Sequence, residues 1–332
     1  MGKFLTGLLV LVGLIALLAV GGYFALKRPD IAYETLAARY ESAASRYIDL
    51  PSGVHVHYRD EGDPLAPAVL LIHGFAASLH TWEAWAADLR DEYRVISIDL
   101  PGHGLTRAPA GYQASIPAFR DLVEQFAQAY GLQRFAIAGN SMGGNVAWEY
   151  ALAHPEQLDA LILVDASGWP ESDAEQTRDP LAFQLLRHPA SAAILRDIDT
   201  TQLVRQGLER SFADPSMVTD AMVTRYADLS RAPGHRDVLI ALTVNRRARD
   251  VATPERLAAL HVPTLILHGE QDNVIALAHG RQFHDAIGGS EIITYPNAGH
   301  IPQEELPADS AMAVREFLYR IHEGSALAVA AQ

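Results

Sequence analysis

The chain contains no cysteine. That excludes a thiol nucleophile, a cysteine-ligated zinc site and any disulfide, and it leaves the redox compartment open. Basic residues are in short supply as well: 26 Lys and Arg stand against 40 Asp and Glu, a formal net charge of −14. They form no basic stripe of the kind that neutralises phosphates, so nucleic acid is not expected as a partner. A neutral or apolar substrate suits this balance better than a strongly anionic one. Neither Gly nor Pro is in excess, and hydrophobic residues reach 49%, the mixture of a globular chain rather than a disordered or collagen-like one. Beyond its N-terminus, a chain of 332 residues can bury about three quarters of its unfolded surface without covalent staples.

Charge is missing altogether from Phe4 to Leu26, FLTGLLVLVGLIALLAVGGYFAL, a run of 23 positions. As a helix it would reach about 34 Å, against the ~30 Å of a bilayer's hydrocarbon core. Lys3 bounds one end; Lys27, Arg28 and Pro29 bound the other. A cleaved signal peptide competes, because Ala19-Val20-Gly21 offers small residues at a cleavage site. The length of the run and its single preceding Lys favour an uncleaved, single-pass membrane anchor; cleavage would leave an exported soluble protein. Lys27, Arg28, Arg39 and Arg46 outnumber Lys3, which by the positive-inside rule leaves the large domain cytoplasmic. The margin is thin, and the side stays open.

Residues 1–28 are thus read as the anchor or signal, and 29–46 as an amphipathic connector helix. After them, short β-branched runs alternate with helical stretches. Strands are expected at His55–Tyr58, Ala68–Ile72, Tyr93–Ile98, Phe135–Ala138, Ala160–Val164, Thr264–Leu267 and Glu291–Tyr295. Helices are expected at Ile116–Tyr130, Met142–Ala153, Ala276–Ile287 and Pro307–Ile321. The continuous apolar runs VLLI, LILV and LIL point to strands buried on both faces, an α/β architecture with a mostly parallel central sheet flanked by helices. Residues 170–259 break the rhythm with amphipathic pieces and no convincing strand, and read as a helical cap inserted between core segments 47–169 and 260–323. Residues 324–332 read as a frayed tail.

The most specific local signal is Gly139-Asn140-Ser141-Met142-Gly143, directly after a strand and directly before a helix. A sharp strand-to-helix turn strains the central residue and needs neighbours without side chains two positions away, hence the two glycines. Ser141 Oγ would then stand above the sheet edge at a helix N-terminus, where the helix dipole favours developing negative charge. His73-Gly74-Phe75 follows another buried strand, so the Phe75 and Met142 amides are the expected oxyanion donors. His73 itself is read as bracing that loop. A hydroxyl needs an imidazole to take its proton and a carboxylate to fix the tautomer. His300, in a loop before the last helix, is the candidate base, and Asp272, in the turn after LIL, the candidate acid. Asp165, ending the LILV strand, is the competing acid. Glu270 reads as a solvated charge, Asp99 as structural, and His80, His103, His154, His188 and His268 as lacking a matching acid or metal pattern.

Together His73-Gly74-Phe75, Asp99-Leu100-Pro101-Gly102-His103-Gly104, Gly139 to Gly144, Gly269-Glu270-Gln271-Asp272 and Gly299-His300 resemble the α/β-hydrolase superfamily over nearly the whole chain after the apolar segment. GNSMGGNVAWEYALAHPEQLDALILVDASGWP and the N-terminal segment look most like bacterial membrane-anchored lipases and esterases with a helical cap. The resemblance implies a serine hydrolase of carboxylic esters working through an acyl-enzyme, with Ser141, Asp272 and His300 in the roles above, no metal and no organic cofactor. It also implies a small ester or lipid substrate and a membrane association through the N-terminal helix. Gly-Asn-Ser-Met-Gly-Gly also occurs in meta-cleavage-product C–C hydrolases, which usually carry Trp after the base histidine; Ile301 stands there in this chain. Leu181, Phe183, Leu185 and Leu186 would suit acyl chains, and Arg246, Arg247 and Arg249 an anionic dienoate. A degenerate hydrolase serving as a receptor or scaffold is the non-enzymatic alternative.

Overall fold

The computed structural model describes residues 2–170, 188–245 and 251–330. Its centre is one eight-stranded sheet in the order β1-β2-β4-β3-β5-β6-β7-β8. The strands are β1 Ser45–Asp49, β2 His55–Glu61, β3 Ala68–Ile72, β4 Arg94–Ile98, β5 Phe135–Asn140, β6 Leu158–Val164, β7 Thr264–Gly269 and β8 Glu291–Tyr295. From β4 to β8 every neighbouring pair is parallel, and β1 and β2 form an antiparallel edge. The apolar runs are continuous because successive side chains serve opposite faces. Leu70 and Ile72 pack into one core cluster with Ile137, Phe119 and Trp148; Val69 and Leu71 pack into the other with Trp82, Trp85 and Phe317. Each such aliphatic side chain, fully buried, contributes roughly 1.5–3 kcal/mol.

Helices cover both faces. The core helices are α3 Glu83–Leu89, α4 Ile116–Tyr130, α5 Met142–Ala153, α11 Leu277–Ala286, α12 Pro302–Glu305 and α13 Pro307–Ala330. Helix α4 shows why these residues are helical. Ser115 caps it by accepting from the Ala118 amide at 3.2 Å, Gly131 ends it at φ 82, and Ile116, Phe119, Leu122, Val123, Phe126 and Ala127 form one buried stripe.

Two expectations need correction. The 29–46 connector is helical only over α2, Tyr33–Tyr40, and the chain is extended again at Glu41. Its last two residues, Ser45 and Arg46, open β1, in which Arg46 and Ile48 pair with Tyr58 and Val56. SRYID has little apolar alternation of its own, so the strand is selected by the open edge of β2. The tail does not fray after residue 323: α13 continues to Ala330, through Ala-rich sequence with no Pro to stop it. The short helix α3 was not anticipated.

The insertion between β6 and β7 carries α6 Pro189–Leu195, α7 Thr201–Ser211, α8 Asp220–Leu229, α9 His235–Val244 and α10 Pro254–Leu257, with no strand among the described residues. Leu208, Phe212, Val218 and Val223 of this insertion cluster with Ile301 of the core. Leu36 of α2 is fully buried among Leu105, Leu229 and Ala232, between insertion and core. Leu181, Phe183, Leu185 and Leu186, and Arg246, Arg247 and Arg249, lie outside the described residues.

The apolar N-terminal segment forms α1, Gly2–Leu26, with Phe4, Leu17, Leu18 and Phe24 exposed. Over the described side chains, which omit several of this helix's own, no helix is long and apolar enough to cross a membrane. Past its end the backbone is fastened to the insertion: the Arg28 amide donates to Asp197 O at 2.7 Å and the Asp199 amide to Leu26 O at 2.8 Å.

Candidate active site

Ser141 sits between β5 and α5 at φ 54, ψ −116, one of three non-glycine residues with positive φ among those described. Such a conformation costs about 1–3 kcal/mol and persists only when its surroundings impose it. The surroundings are visible. A Cβ on Gly139 would meet Gly143 O at 2.1 Å, and one on Gly143 would meet Ile72 O at 2.1 Å. The turn closes only because both positions lack a side chain. The Ser141 amide donates to Val164 O at 3.0 Å, and Ser141 O accepts from the Ser167 and Asn145 amides.

His300 follows β8 in a loop drawn hard against the one after β7: a Cβ on Gly269 would lie 1.9 Å from Gly299 O. That contact delivers Asp272 to the imidazole, with His300 Nδ1 2.7 Å from Asp272 Oδ2. Asp272 Oδ1 accepts from the Val274 amide at 2.6 Å and the Ile275 amide at 2.9 Å. Burial pushes the Asp272 carboxyl up, but the His300 charge and hydrogen bond, His268 and the Ile275 amide outweigh it and hold it below the usual carboxylate range. With Nδ1 committed to Asp272, Nε2 is the ring nitrogen left for other work.

Ser141 and His300 line one small cavity of about 60 Å³ with Gly74, Phe75, Asn140 and Tyr226 among its walls. Gly74 lets its loop lie against the serine, since a Cβ there would sit 3.2 Å from Ser141 Cβ. Among the described residues the Phe75 and Met142 amides have no hydrogen-bond partner. His73 turns away from this space: its Nδ1 donates to Gly74 O at 2.7 Å and its Nε2 accepts from the Leu100 amide at 3.0 Å. Burial lowers its basicity, and it braces the loop.

Three residues of this neighbourhood escaped the sequence reading. Asn140 Nδ2 donates to His300 O at 3.0 Å and to Val164 O at 3.2 Å, tying the imidazole's backbone to the sheet. Glu305 accepts from the Gly299 amide at 2.7 Å and from the Ala213 amide at 2.6 Å, so one carboxyl bridges the histidine loop and the insertion. Ser211 O, at the end of α7, accepts from the His300 amide at 2.7 Å. Asn140 stood inside the recognised motif; nothing local marked Glu305 or Ser211.

Asp165, the competing acid, is fully buried at the end of β6. Its Oδ1 accepts from the Gly269 amide at 2.9 Å, while the His300 ring turns to Asp272. Asp165, His268 and Asp272 bring one ligand-capable atom each within 4.8 Å of one another, the grouping with metal-ligand character among the described residues. Glu270 is exposed and accepts from Thr294 Oγ1.

The family model described as alpha/beta hydrolase fold matches residues 67–307. The chain is 30% identical over 294 residues, 86% of its length and 73% of the other, to the dihydrolipoyllysine-residue acetyltransferase component of the acetoin cleaving system of Cupriavidus necator. It is 28% identical over 275 residues to monoacylglycerol lipase abhd6-A of Xenopus laevis, covering 79% of this chain and 78% of that one. Among solved structures, a membrane phospholipase A, a bacterial virulence factor, superposes with TM-score 0.71 at 25% identity, covering 97% of this chain and 99% of the other.

Proposed function

We propose, from the premise that this chain belongs to the α/β-hydrolase-fold family, that it is a serine hydrolase of carboxylic esters acting on small or lipid substrates. The reading rests on one observation above others: a serine strained at a strand-to-helix turn shares a cavity with a histidine whose far nitrogen is held 2.7 Å from a buried carboxylate. Ser141 Oγ attacks the ester carbonyl and passes its proton to His300 Nε2. Asp272 keeps the proton on Nδ1 and stabilises the imidazolium. The partnerless Phe75 and Met142 amides receive the oxyanion, beside the N-terminus of α5. His300 then protonates the leaving alcohol, activates a water, and the acyl-enzyme is hydrolysed to acid and free Ser141. The names of the relatives, a monoacylglycerol lipase and a membrane phospholipase, support an ester of a lipid. Insertion helices α6 to α10 are read as a cap over this chemistry, with Leu208, Ser211 and Tyr226 as its pocket-facing residues.

The N-terminal helix α1 is read as a membrane anchor, supported by its uncharged run and the exposure of Phe4, Leu17, Leu18 and Phe24 to what would otherwise be water. A fluorophosphonate probe should label wild type at Ser141 and leave Ser141→Ala untouched. Folded protein that escapes labelling and turns over no nitrophenyl ester of any chain length ends the enzymatic reading. Carbonate-washed membranes should retain the full chain and release one lacking residues 1–28; release of both removes the anchor.

A further inference from the structure

Below His300 lie two carboxyl groups, and the proposed chemistry uses one. Asp165 is fully buried and held at φ 44, and it clusters with Asp272 and the His268 ring inside 4.8 Å. Two carboxylates that close, in a space without bulk water, do not both stay ionised. The hydrogen bonds say which of them carries the charge. Asp272 receives three donors: the Val274 amide at 2.6 Å, the Ile275 amide at 2.9 Å and His300 Nδ1 at 2.7 Å. Asp165 receives the Gly269 amide on Oδ1, and its Oδ2 has no partner among the described residues. A bare carboxylate oxygen in that position is strongly disfavoured, whereas an un-ionised carboxyl there can turn its hydroxyl toward Asp272, with which it clusters inside 4.8 Å.

His268 does not supply the missing proton. Its Nε2 donates to Ile275 O at 3.2 Å and lies 3.5 Å from Asp165 Oδ1 and 3.8 Å from Asp272 Oδ2. Burial keeps that ring neutral, and its Nδ1 is itself without a partner. We propose that Asp165 is an un-ionised carboxylic acid that donates a hydrogen bond to the Asp272 carboxylate, and so is a positioning residue for the Asp272–His300 pair. The proposal rests on the serine-hydrolase reading for its catalytic consequence, not for the proton itself. Burial raises the Asp165 carboxyl well above its ordinary range; the Asp272 charge and the more remote Glu305 add to this, and the Gly269 amide opposes it. The other titratable groups that face the cluster are His268 and His300, Tyr295 on β8 and His279 on α11. The donated hydrogen bond fixes the plane of a carboxylate whose Oδ1 is already held by two amides, and the proton that Asp165 keeps removes a second negative charge from beneath the imidazole.

The test separates the proton from the charge in the full-length protein. Infrared spectra of wild type should show the carbonyl stretch of a buried protonated carboxyl group, absent in Asp165→Asn. Asp165→Ala should lower kcat by about tenfold or more, with KM changed less and the acid limb of the kcat/KM profile displaced, because Asp272 loses a fixed partner. Asp165→Asn keeps an acceptor for the Gly269 amide and an N–H for Asp272, and should recover kcat to within about threefold of wild type. Three results overturn the proposal: no such infrared band, Asn as impaired as Ala, or one divalent cation per chain in purified wild type that Asp165→Asn fails to retain. Should Asp165→Ala not fold, the infrared band and the Asn variant still decide. Fluorophosphonate labelling of wild type keeps the two readings apart, because its failure removes the enzyme while leaving the infrared result in force.

Discussion

Among the described residues two Ser–His–Asp arrays stand out, and they differ in everything but their shortest distance. In one, His300 Nδ1 lies 2.7 Å from Asp272 Oδ2 at the wall of a cavity that Ser141 shares. In the other, His57 Nδ1 lies 2.7 Å from Asp99 Oδ2 and His57 Nε2 lies 2.9 Å from Ser45 Oγ. The second carries the serine–imidazole hydrogen bond, yet among the described residues nothing around it serves catalysis. Ser45 lies in an edge strand without positive φ, its Oγ accepts from the Ser42 amide, and His57 and Asp99 are fully buried. Asp99 also accepts from the Leu79 and Leu105 amides at 2.8 and 2.9 Å. It is a clamp that joins β2, β4 and the segment leading into α3. The lesson is that a triad's spacing is common property of buried polar clusters; a strained hydroxyl, free amides and a space for substrate set the catalytic candidate apart.

The sharpest way to break this contrast is to remove each serine. Ser141→Ala should abolish ester turnover, a fall on the order of 10⁴-fold or more in kcat, while Ser45→Ala should leave kcat within about twofold of wild type. Steady-state rates on a nitrophenyl ester decide, and loss of activity in Ser45→Ala would exchange the two assignments. The carboxylates come next. Asp272→Asn should lower kcat by roughly 10³–10⁴-fold through the wrong imidazole tautomer. Asp99→Asn should instead destabilise the fold by about 3–5 kcal/mol, read from urea midpoints, because it breaks a buried pair.

Acid should act on both arrays through stability, because the Asp99 and Asp272 carboxyls are both held low. Burial pushes the Asp99 carboxyl up, but the His57 hydrogen bond and the pull of His57, His73 and His80 hold it well below its ordinary value in the fold. A depressed carboxyl stabilises above its unfolded value near 4 and loses that contribution as pH falls further. His80 titrates at about 4 in the fold, chiefly through burial and then the Arg59 charge. The unfolded chain therefore binds the extra proton between about pH 6.5 and 4, and stability drops across that window. Melting temperature should decline from pH 6.5 downward and more steeply below 4, and His80→Gln should flatten the upper part of the decline. The smallest expected effect concerns the oxyanion loop. A Cβ at Gly74 would meet Asn140 Oδ1 at 3.1 Å and Ser141 Cβ at 3.2 Å, so Gly74→Ala should displace the Phe75 amide and reduce kcat by about tenfold with little change in melting temperature.

Much of this was legible in the sequence, for identifiable reasons. The parallel strands announced themselves because both faces are buried, leaving uninterrupted runs such as VLLI and LILV. Helix α4 fell at its expected bounds because Ser115 caps it and Gly131 ends it, and α5 because it starts at the Ser141 turn and stops short of Pro155. The turn at Ser141 was legible because its sterics demand glycine at fixed offsets. What went unread depends on partners. β1 exists because β2 offers it an edge, and α2 has already ended at Tyr40 before that strand begins at Ser45.

The sequence by itself determined the class of fold, the strained turn and the order in which serine, acid and histidine arrive along the chain, since each of these is set by neighbours within a few residues. Only the tertiary structure decided which carboxylate meets the imidazole, that His57 is clamped to Asp99, and that Asn140 and Glu305 hold the histidine loop in place. Those outcomes turn on loops from β5, β7, β8 and α7 meeting within hydrogen-bonding distance. Residues far apart along the chain share no local pattern that records such a meeting.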